Sequence, residues 1–275
     1  MRGIAKYLLA GISDAILLTR FGHLLQRLLY RDRFVRAISY HETPRELSRK
    51  LEAHLRYYRR HFRPVMQAEL KSALAGGAAG DRPGLLISFD DGSISNYEVA
   101  APMLEKFGFR GWFFVCSGLI ESHEHAGHDP KNYMTWAQIR DLRQRGHIVG
   151  SHTSTHMRLS SDVGADDLDR EIEGSKNRLE AELDGEVDSF CWVGGEENSH
   201  SPEAARRIRG SGYRYAFTTS SAPISRHTDP LMIQRTNVDI AHSMPRIRLA
   251  LSGAADIWFR GRRRRINEML APQRR

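Results

Sequence analysis

The chain has 275 residues, 40% hydrophobic and 27% charged, the balance of an ordinary soluble globular protein with room for one large α/β domain and its core. A net charge of +8 points to anionic partners such as acidic glycans or phospholipid surfaces. The lack of any nucleic-acid-binding motif sets nucleic acid aside. The two cysteines, Cys116 and Cys191, lie in apolar strand-like text, which argues against a disulfide framework and favours buried thiols and a reducing compartment.

Residues 1–34 read as a separate N-terminal segment. The apolar runs Leu8 to Ile12 and Ala15 to Leu18 are interrupted by Asp14, Arg20, His23 and Arg27. They are too short for a membrane span and lack a small-residue cleavage site. Leu17, Phe21, Leu24, Leu25 and Leu28 recur at helical spacing, with Arg20, Arg27, Arg31 and Arg33 on or beside the same helix. Such an amphipathic helix either packs on the domain or lies on an anionic membrane.

Strand-helix alternation follows. Val35 to Tyr40 reads as a strand with His41 at its end, and Glu46 to Phe62 as a helix. A glycine-rich loop over residues 76–84 precedes the apolar strand Leu85 to Phe89, which ends in Asp90-Asp91-Gly92. Ser95 to Phe107 reads as a helix, Gly111 to Cys116 as a strand, and Ser117 to Tyr133 as a long polar loop carrying His123, His125 and His128. A helix from Thr135 to Arg145 leads to the strand His147 to Gly150 and then to Ser151-His152-Thr153-Ser154-Thr155-His156. Ala165 to Leu183 is a helix, Val187 to Val193 a strand, Pro202 to Gly210 a helix, and Tyr213 to Thr218 and Leu231 to Val238 strands. The alternation predicts a parallel α/β barrel over residues 35–245. Residues 246–275, which include Arg262 to Arg265, read as an amphipathic and basic C-terminal tail, solvated or in contact with an anionic lipid or polymer.

Two segments carry chemistry. Adjacent carboxylates at a strand end repel unless a positive group lies between them or one holds a proton, although an Asp-Gly turn gives the same letters. Two histidines four residues apart share a face if their segment coils helically. Two imidazoles and one carboxylate, with a position left for water, make a catalytic zinc site. One aspartate can then be a ligand and the other a free base.

Ser88-Phe89-Asp90-Asp91-Gly92 and His152-Thr153-Ser154-Thr155-His156 resemble the first two motifs of the polysaccharide deacetylases, carbohydrate esterase family 4. The resemblance runs from about Val35 to about Ile240. It implies a distorted (β/α)7 barrel and the removal of N-acetyl groups from amino sugars. Asp91, His152 and His156 would hold one divalent ion, expected to be zinc, and Asp90 would be the base. Family members with an added N-terminal strand often carry Tyr-His at its end, which makes His41 the general acid; without the resemblance His41 is a loop histidine. The third family motif is altered: Cys191-Trp192-Val193-Gly194-Gly195 has Val193 in the proline position and Gly194 in the aromatic one. This leaves Trp192 and the Gly194 backbone N–H for the oxyanion and substrate pocket. The late Leu-x-His motif is missing, and Arg235 stands in its text as a residue that could tune Asp90. The expected partner is an N-acetylated glycan or glycolipid, met in exopolysaccharide or cell-envelope synthesis, with the protein cytoplasmic and peripheral at the inner membrane surface. A deformylase or amidase on a lipid-linked amino sugar, and a catalytically weak glycan-binding barrel, are the competing readings.

Overall fold

The computed structural model describes residues 34–77, 80, 82–126 and 133–271, with Thr19, Phe21, Gly22, Leu24, Gln26 and Leu28 before them. Seven parallel strands close into a barrel: β1 (Val35–Tyr40), β2 (Gly84–Phe89), β3 (Gly111–Val115), β4 (Ile148–Ser151), β5 (Ser189–Cys191), β6 (Tyr215–Thr218) and β7 (Ile233–Asn237). Each pairs with the next in chain order, and β1 closes the ring by pairing with both β7 and β2. The (β/α)7 barrel expected from the resemblance is the observed fold. A two-residue strand, Arg63–Pro64, adds to β2 from outside the ring.

The strands are apolar on both faces because both are covered. Val35, Leu86, Trp112, Phe114, Phe217 and Ile233 pack inside the ring, closed at its lower end by Val65 and Leu70. Ile38, Ile87, Phe89, Phe113 and Phe190 face the helices. Gly84 is required at the lower rim, since a Cβ there would stand 2.5 Å from Val65 Cγ2 and 2.9 Å from Val35 Cγ2.

The helical layer contains α1 (Ser48–His61), α2 (Gln67–Leu74), α3 (Ala101–Lys106), α4 (Ser117–Ala126), α5 (Trp136–Gln144), α6 (Ala165–Asp169), α7 (Ser175–Leu183) and α8 (Pro202–Gly210). α5 begins with a reciprocal cap: Thr135 Oγ1 accepts from Gln138 N, and Gln138 Oε1 accepts from Thr135 N. The stretch expected as a polar loop after β3 instead begins with α4. Ile120 of that helix is fully buried and the Glu124 carboxylate accepts from Trp136 N at 2.7 Å, so this segment is anchored on α5. His123 and His125 lie within α4, and His128 lies outside the described residues.

Residues 246–270, expected as a tail, are folded onto the barrel. They form α9 (Met244–Leu251), α10 (Ala254–Trp258) and α11 (Arg260–Leu270), with Ile247, Leu251, Ile266 and Leu270 buried. Asp256 of α10 binds the fully buried Arg36 of β1 through both carboxylate oxygens. Arg263 Nη1 donates to the carbonyls of Ser220 and Ser221 at 2.9 and 2.7 Å, so part of the arginine run is structural. The helical positions before β1 dock at the α9–α10 junction, where Gly22 lies against Ser252 and Gln26 against Gly253. Leu17, Leu25, Arg20, Arg27, Arg31 and Arg33 of the expected amphipathic helix lie outside the described residues.

Candidate active site

In a parallel barrel the residues at strand C-terminal ends face one rim. Asp90 and Asp91 follow β2, His152 follows β4 and His41 follows β1. After β2 the chain turns sharply through two left-handed residues, Asp91 at φ 73° and Gly92 at φ 85°. Glycine takes that conformation freely and aspartate with some cost. The turn sends the two carboxylates in different directions.

Asp90 points into the barrel and is 2% exposed. Arg235 of β7 binds it through both oxygens, at 2.6 and 2.8 Å. The same guanidinium donates to Ser88 Oγ at 2.8 Å and lies 2.9 Å from Cys191 Sγ. Burial would raise the Asp90 carboxyl, but the charge and hydrogen bonds of Arg235 outweigh it and hold the group below the usual carboxylate range. Asp90 is therefore a buried, ionised acceptor.

Asp91 points to the rim. Its Oδ1 stands 3.4 Å from His152 Nε2 and 3.2 Å from His156 Nε2. His152 Nδ1–H donates to the Cys191 carbonyl at 2.9 Å, which turns its Nε2 lone pair toward Asp91. Asp91 Oδ1 is buried without a hydrogen-bond partner. Acceptor atoms of three residues thus face one point, and a cation fits such a point. Asp90, His152 and Cys191 form a second converging trio, but both Asp90 oxygens and the Cys191 sulfur already meet the Arg235 guanidinium, which would repel a cation there.

The histidine segment is not helical. It is an irregular loop in which Thr153 and His156 are left-handed, at φ 65° and 63°. Glu171, fully buried in the π-turn Arg170–Gly174 between α6 and α7, holds that loop. Its carboxylate accepts from Ser154 N at 2.9 Å, Thr155 N at 2.8 Å and Thr155 Oγ1 at 2.8 Å. Ser175 adds a donor to the Thr153 carbonyl at 3.1 Å. Sequence reasoning missed both residues. The signal was present, since they fall on the face of Leu168, Ile172 and Leu179, where a glutamate should not be buried without partners.

The rim opens into a cleft of about 630 Å³ whose wall includes His41, Asp91, Asn237, Asp239, His242 and Arg246. His41 is exposed and shares this cleft with Asp91. Trp192 and Gly194 are not part of this wall. Trp192 is buried against His200, ring centroids 4.7 Å apart, with its indole nitrogen unpartnered. Gly194 takes φ 83°, and a Cβ there would come 2.9 Å from Ser199 Oγ. Cys116 and Cys191 are buried free thiols, and burial pushes the Cys116 thiol up to about 12.

The family model for polysaccharide deacetylases matches residues 78–216. The chain belongs to the polysaccharide deacetylase family. Asp90, Asp91, His152 and His156 lie inside the matched range; His41 and Arg235 lie outside it. YxkH of Bacillus subtilis (strain 168), whose name places it in the same family, is 27% identical over 154 residues, 56% of this chain and 51% of that protein. The chain thus matches about half the length of that relative. The deacetylase PplD of Streptococcus pyogenes, solved in complex with acetate, superposes with a TM-score of 0.66 at 19% identity over 78% of this chain and 96% of that one. IcaB from Ammonifex degensii gives 0.63 at 23% identity over 82% and 97%. A de-N-acetylase from Aggregatibacter actinomycetemcomitans gives 0.65 at 16% identity over 79% and 100%. At these identities the likeness is one of fold.

Proposed function

We propose that this deacetylase-family chain is a metal-dependent hydrolase that removes N-acetyl groups from the amino sugars of a glycan, in exopolysaccharide or cell-envelope synthesis. The observation that carries the reading is the buried, unpartnered Asp91 Oδ1 facing two imidazole nitrogens beside an ionised Asp90. Asp91, His152 and His156 would hold one divalent ion, with zinc suited to two nitrogens and one carboxylate. Such an ion supplies Lewis acidity and a nucleophilic water at neutral pH. Asp90 takes the proton of the attacking water; Arg235 fixes its two oxygens and keeps it ionised. His41, at the end of the neighbouring strand β1, gives a proton to the leaving amine. The acetate-bound PplD and the named de-N-acetylase support an N-acetyl substrate.

We place the protein in the cytoplasm at the inner membrane surface. Buried free thiols support a reducing compartment. Phe21, Leu24, Leu28, Ile257 and Trp258 are the exposed large apolar residues among those described, at 56–86% exposure, and they belong to two segments joined at the α9–α10 junction. With the basic net charge, that patch suits peripheral contact with an anionic bilayer. No helix among the described residues is long and apolar enough to cross a membrane.

The test is product analysis on tri-N-acetylchitotriose. Acetate release, cut at least about 100-fold in Asp90→Asn, is expected. Formate release from an N-formylated analogue, without acetate from the acetylated one, would move the reading to a deformylase. Glycan binding with neither product would leave a binding barrel.

A further inference from the structure

His54 of α1 takes no part in the proton transfers of the site, yet it is 1% exposed and uses both ring nitrogens. Nε2 lies 3.0 Å from the His242 carbonyl oxygen, and Nδ1 lies 3.0 Å from Tyr40 Oη. A carbonyl oxygen only accepts, so Nε2 carries the proton and Nδ1 keeps its lone pair. Tyr40 Oη–H therefore donates to His54 Nδ1, and Tyr58 Oη–H donates to Tyr40 Oη at 2.7 Å. Both tyrosines are fully buried, and burial pulls the His54 imidazole below its usual range and keeps it neutral. The direction of every bond in this chain is thus fixed.

The chain ends at the cleft. Tyr40 is the last residue of β1, and His41 follows it into the cleft wall. His242 belongs to the turn after β7, the strand beside β1, and lines the same cleft with Asn237 and Asp239. The turn is closed by His242 N, which donates to the Asp239 carbonyl at 3.0 Å, and by Ala241 N, which donates to Asp239 Oδ1 at 2.7 Å. Two side chains of α1 tie it down: His54 at the His242 carbonyl, and Lys50 Nζ at the Ala241 carbonyl, 2.9 Å away. These ties fix the His242 ring as well. Its Nδ1 accepts from Asp239 N at 3.3 Å, while burial and the charge of Arg246 pull the imidazole below its usual range. His242 is therefore neutral with its proton on Nε2. A fixed N–H donor in a polar cleft suits a hydroxyl or acylamido oxygen of a sugar.

We propose that His54 is a positioning residue for substrate binding: through the His242 carbonyl it sets the 239–242 turn, and with it the Nε2–H of His242, against the sugar at Asp91. This rests on the hydrolase reading and adds a determinant of substrate affinity to it. His41 and Asp90 are carried by β1 and β2, so the turn governs binding and leaves the chemical step alone.

Three variants separate the two ends of the imidazole. His54→Gln keeps an N–H near the place of Nε2, and with it the bond to the His242 carbonyl. His54→Asn keeps a polar group near Nδ1 and serves Tyr40 only. His54→Leu keeps neither. Acetate release from tri-N-acetylchitotriose is measured with zinc content and a thermal melt on each preparation. KM should rise at least about fivefold in His54→Leu and His54→Asn, with kcat within about twofold of the wild type and zinc unchanged. His54→Gln should bring KM back to within about twofold. A merely structural histidine would lower the melting temperature and leave KM where it was. Lys50→Met, at the surface, should fold normally and raise KM about two- to threefold, and it decides the matter if the His54 variants do not fold. The proposal is overturned if KM is unchanged in His54→Leu or, should that variant not fold, in Lys50→Met. It is also overturned if His54→Asn rescues KM as well as His54→Gln, or if kcat falls while KM stays. Calorimetric binding of the same glycan repeats the comparison without turnover. Acetate release with equal KM in every variant removes this inference and leaves the hydrolase reading standing. Glycan binding that follows the expected order without any acetate release removes the hydrolase reading and keeps His54 as a determinant of binding. A wild type that neither binds nor releases removes both.

Discussion

Replacing Arg235 by methionine keeps a long side chain inside the barrel and removes the charge that faces Asp90. The wild-type carboxylate is 2% exposed and receives two charge-assisted hydrogen bonds, at 2.6 and 2.8 Å. Breaking one side of such a buried pair costs about 3–5 kcal/mol. Asp90 can avoid that cost by taking a proton, and a protonated carboxyl cannot accept one from water. That cost raises the carboxyl from below its ordinary range toward neutrality, so Arg235→Met should lose several-fold in kcat at neutral pH and about tenfold more for each pH unit below it. The pH dependence separates this cause from simple misplacement. In the wild type Asp90 is held below its ordinary range, so it stays ionised throughout the neutral region, and its contribution to stability is lost only on acidification. In the variant the carboxyl rises instead. Its folded form then binds more protons than the unfolded chain, so stability should fall as pH rises, while activity should partly recover. The assay is acetate release from pH 5 to 9 with thermal melts in the same buffers. A variant that is equally impaired at every pH, or that keeps the wild-type rate, would refute the assignment of Arg235 as the group that keeps the base ionised.

Further expectations follow from the same contacts. Glu171→Gln turns one acceptor toward the Ser154 and Thr155 donors into a donor, which loosens the loop of His152 and His156; zinc affinity by chelator competition should fall about 10- to 100-fold in a protein that remains folded. Asp256→Ala leaves the fully buried Arg36 without its partner; stability in urea should drop by about 3–5 kcal/mol, whereas truncation of a merely solvated tail would cost almost nothing. Gly194→Ala places a Cβ at a left-handed position and 2.9 Å from Ser199 Oγ; it should lower stability by about 1–3 kcal/mol in a calorimetric melt.

The barrel was legible because β1 to β7 are short apolar runs separated by helical periods, and buried parallel strands need that pattern. Asp90, Asp91 and His152 drew attention because they follow strand ends, and His156 because it stands four residues after His152. What was not legible depends on contacts far apart in the chain. Pairing His152 with His156 through a helix failed because Thr153 and His156 adopt left-handed backbone stabilised by Glu171, 15 residues after His156 by number. The basic C-terminal segment looked solvated because its arginines were counted as charge. In the fold Arg263 binds carbonyls of the Ser220–Ser221 turn, and Asp256 answers an arginine on the first strand. The stretch after β3 read as a loop from its polarity, yet Leu119 and Ile120 supply the inward face of a helix. Trp192 and Gly194 were placed by motif position alone, which says nothing of which way a ring points.

The central claim is that Asp91, His152 and His156 hold a metal ion. Elemental analysis of the wild type and His152→Ala, purified side by side and reconstituted with zinc, tests it most directly. The account predicts about one zinc per wild-type chain and a loss of most of it in the variant. A wild type that holds no metal after reconstitution, or a variant that retains it in full, would contradict the account.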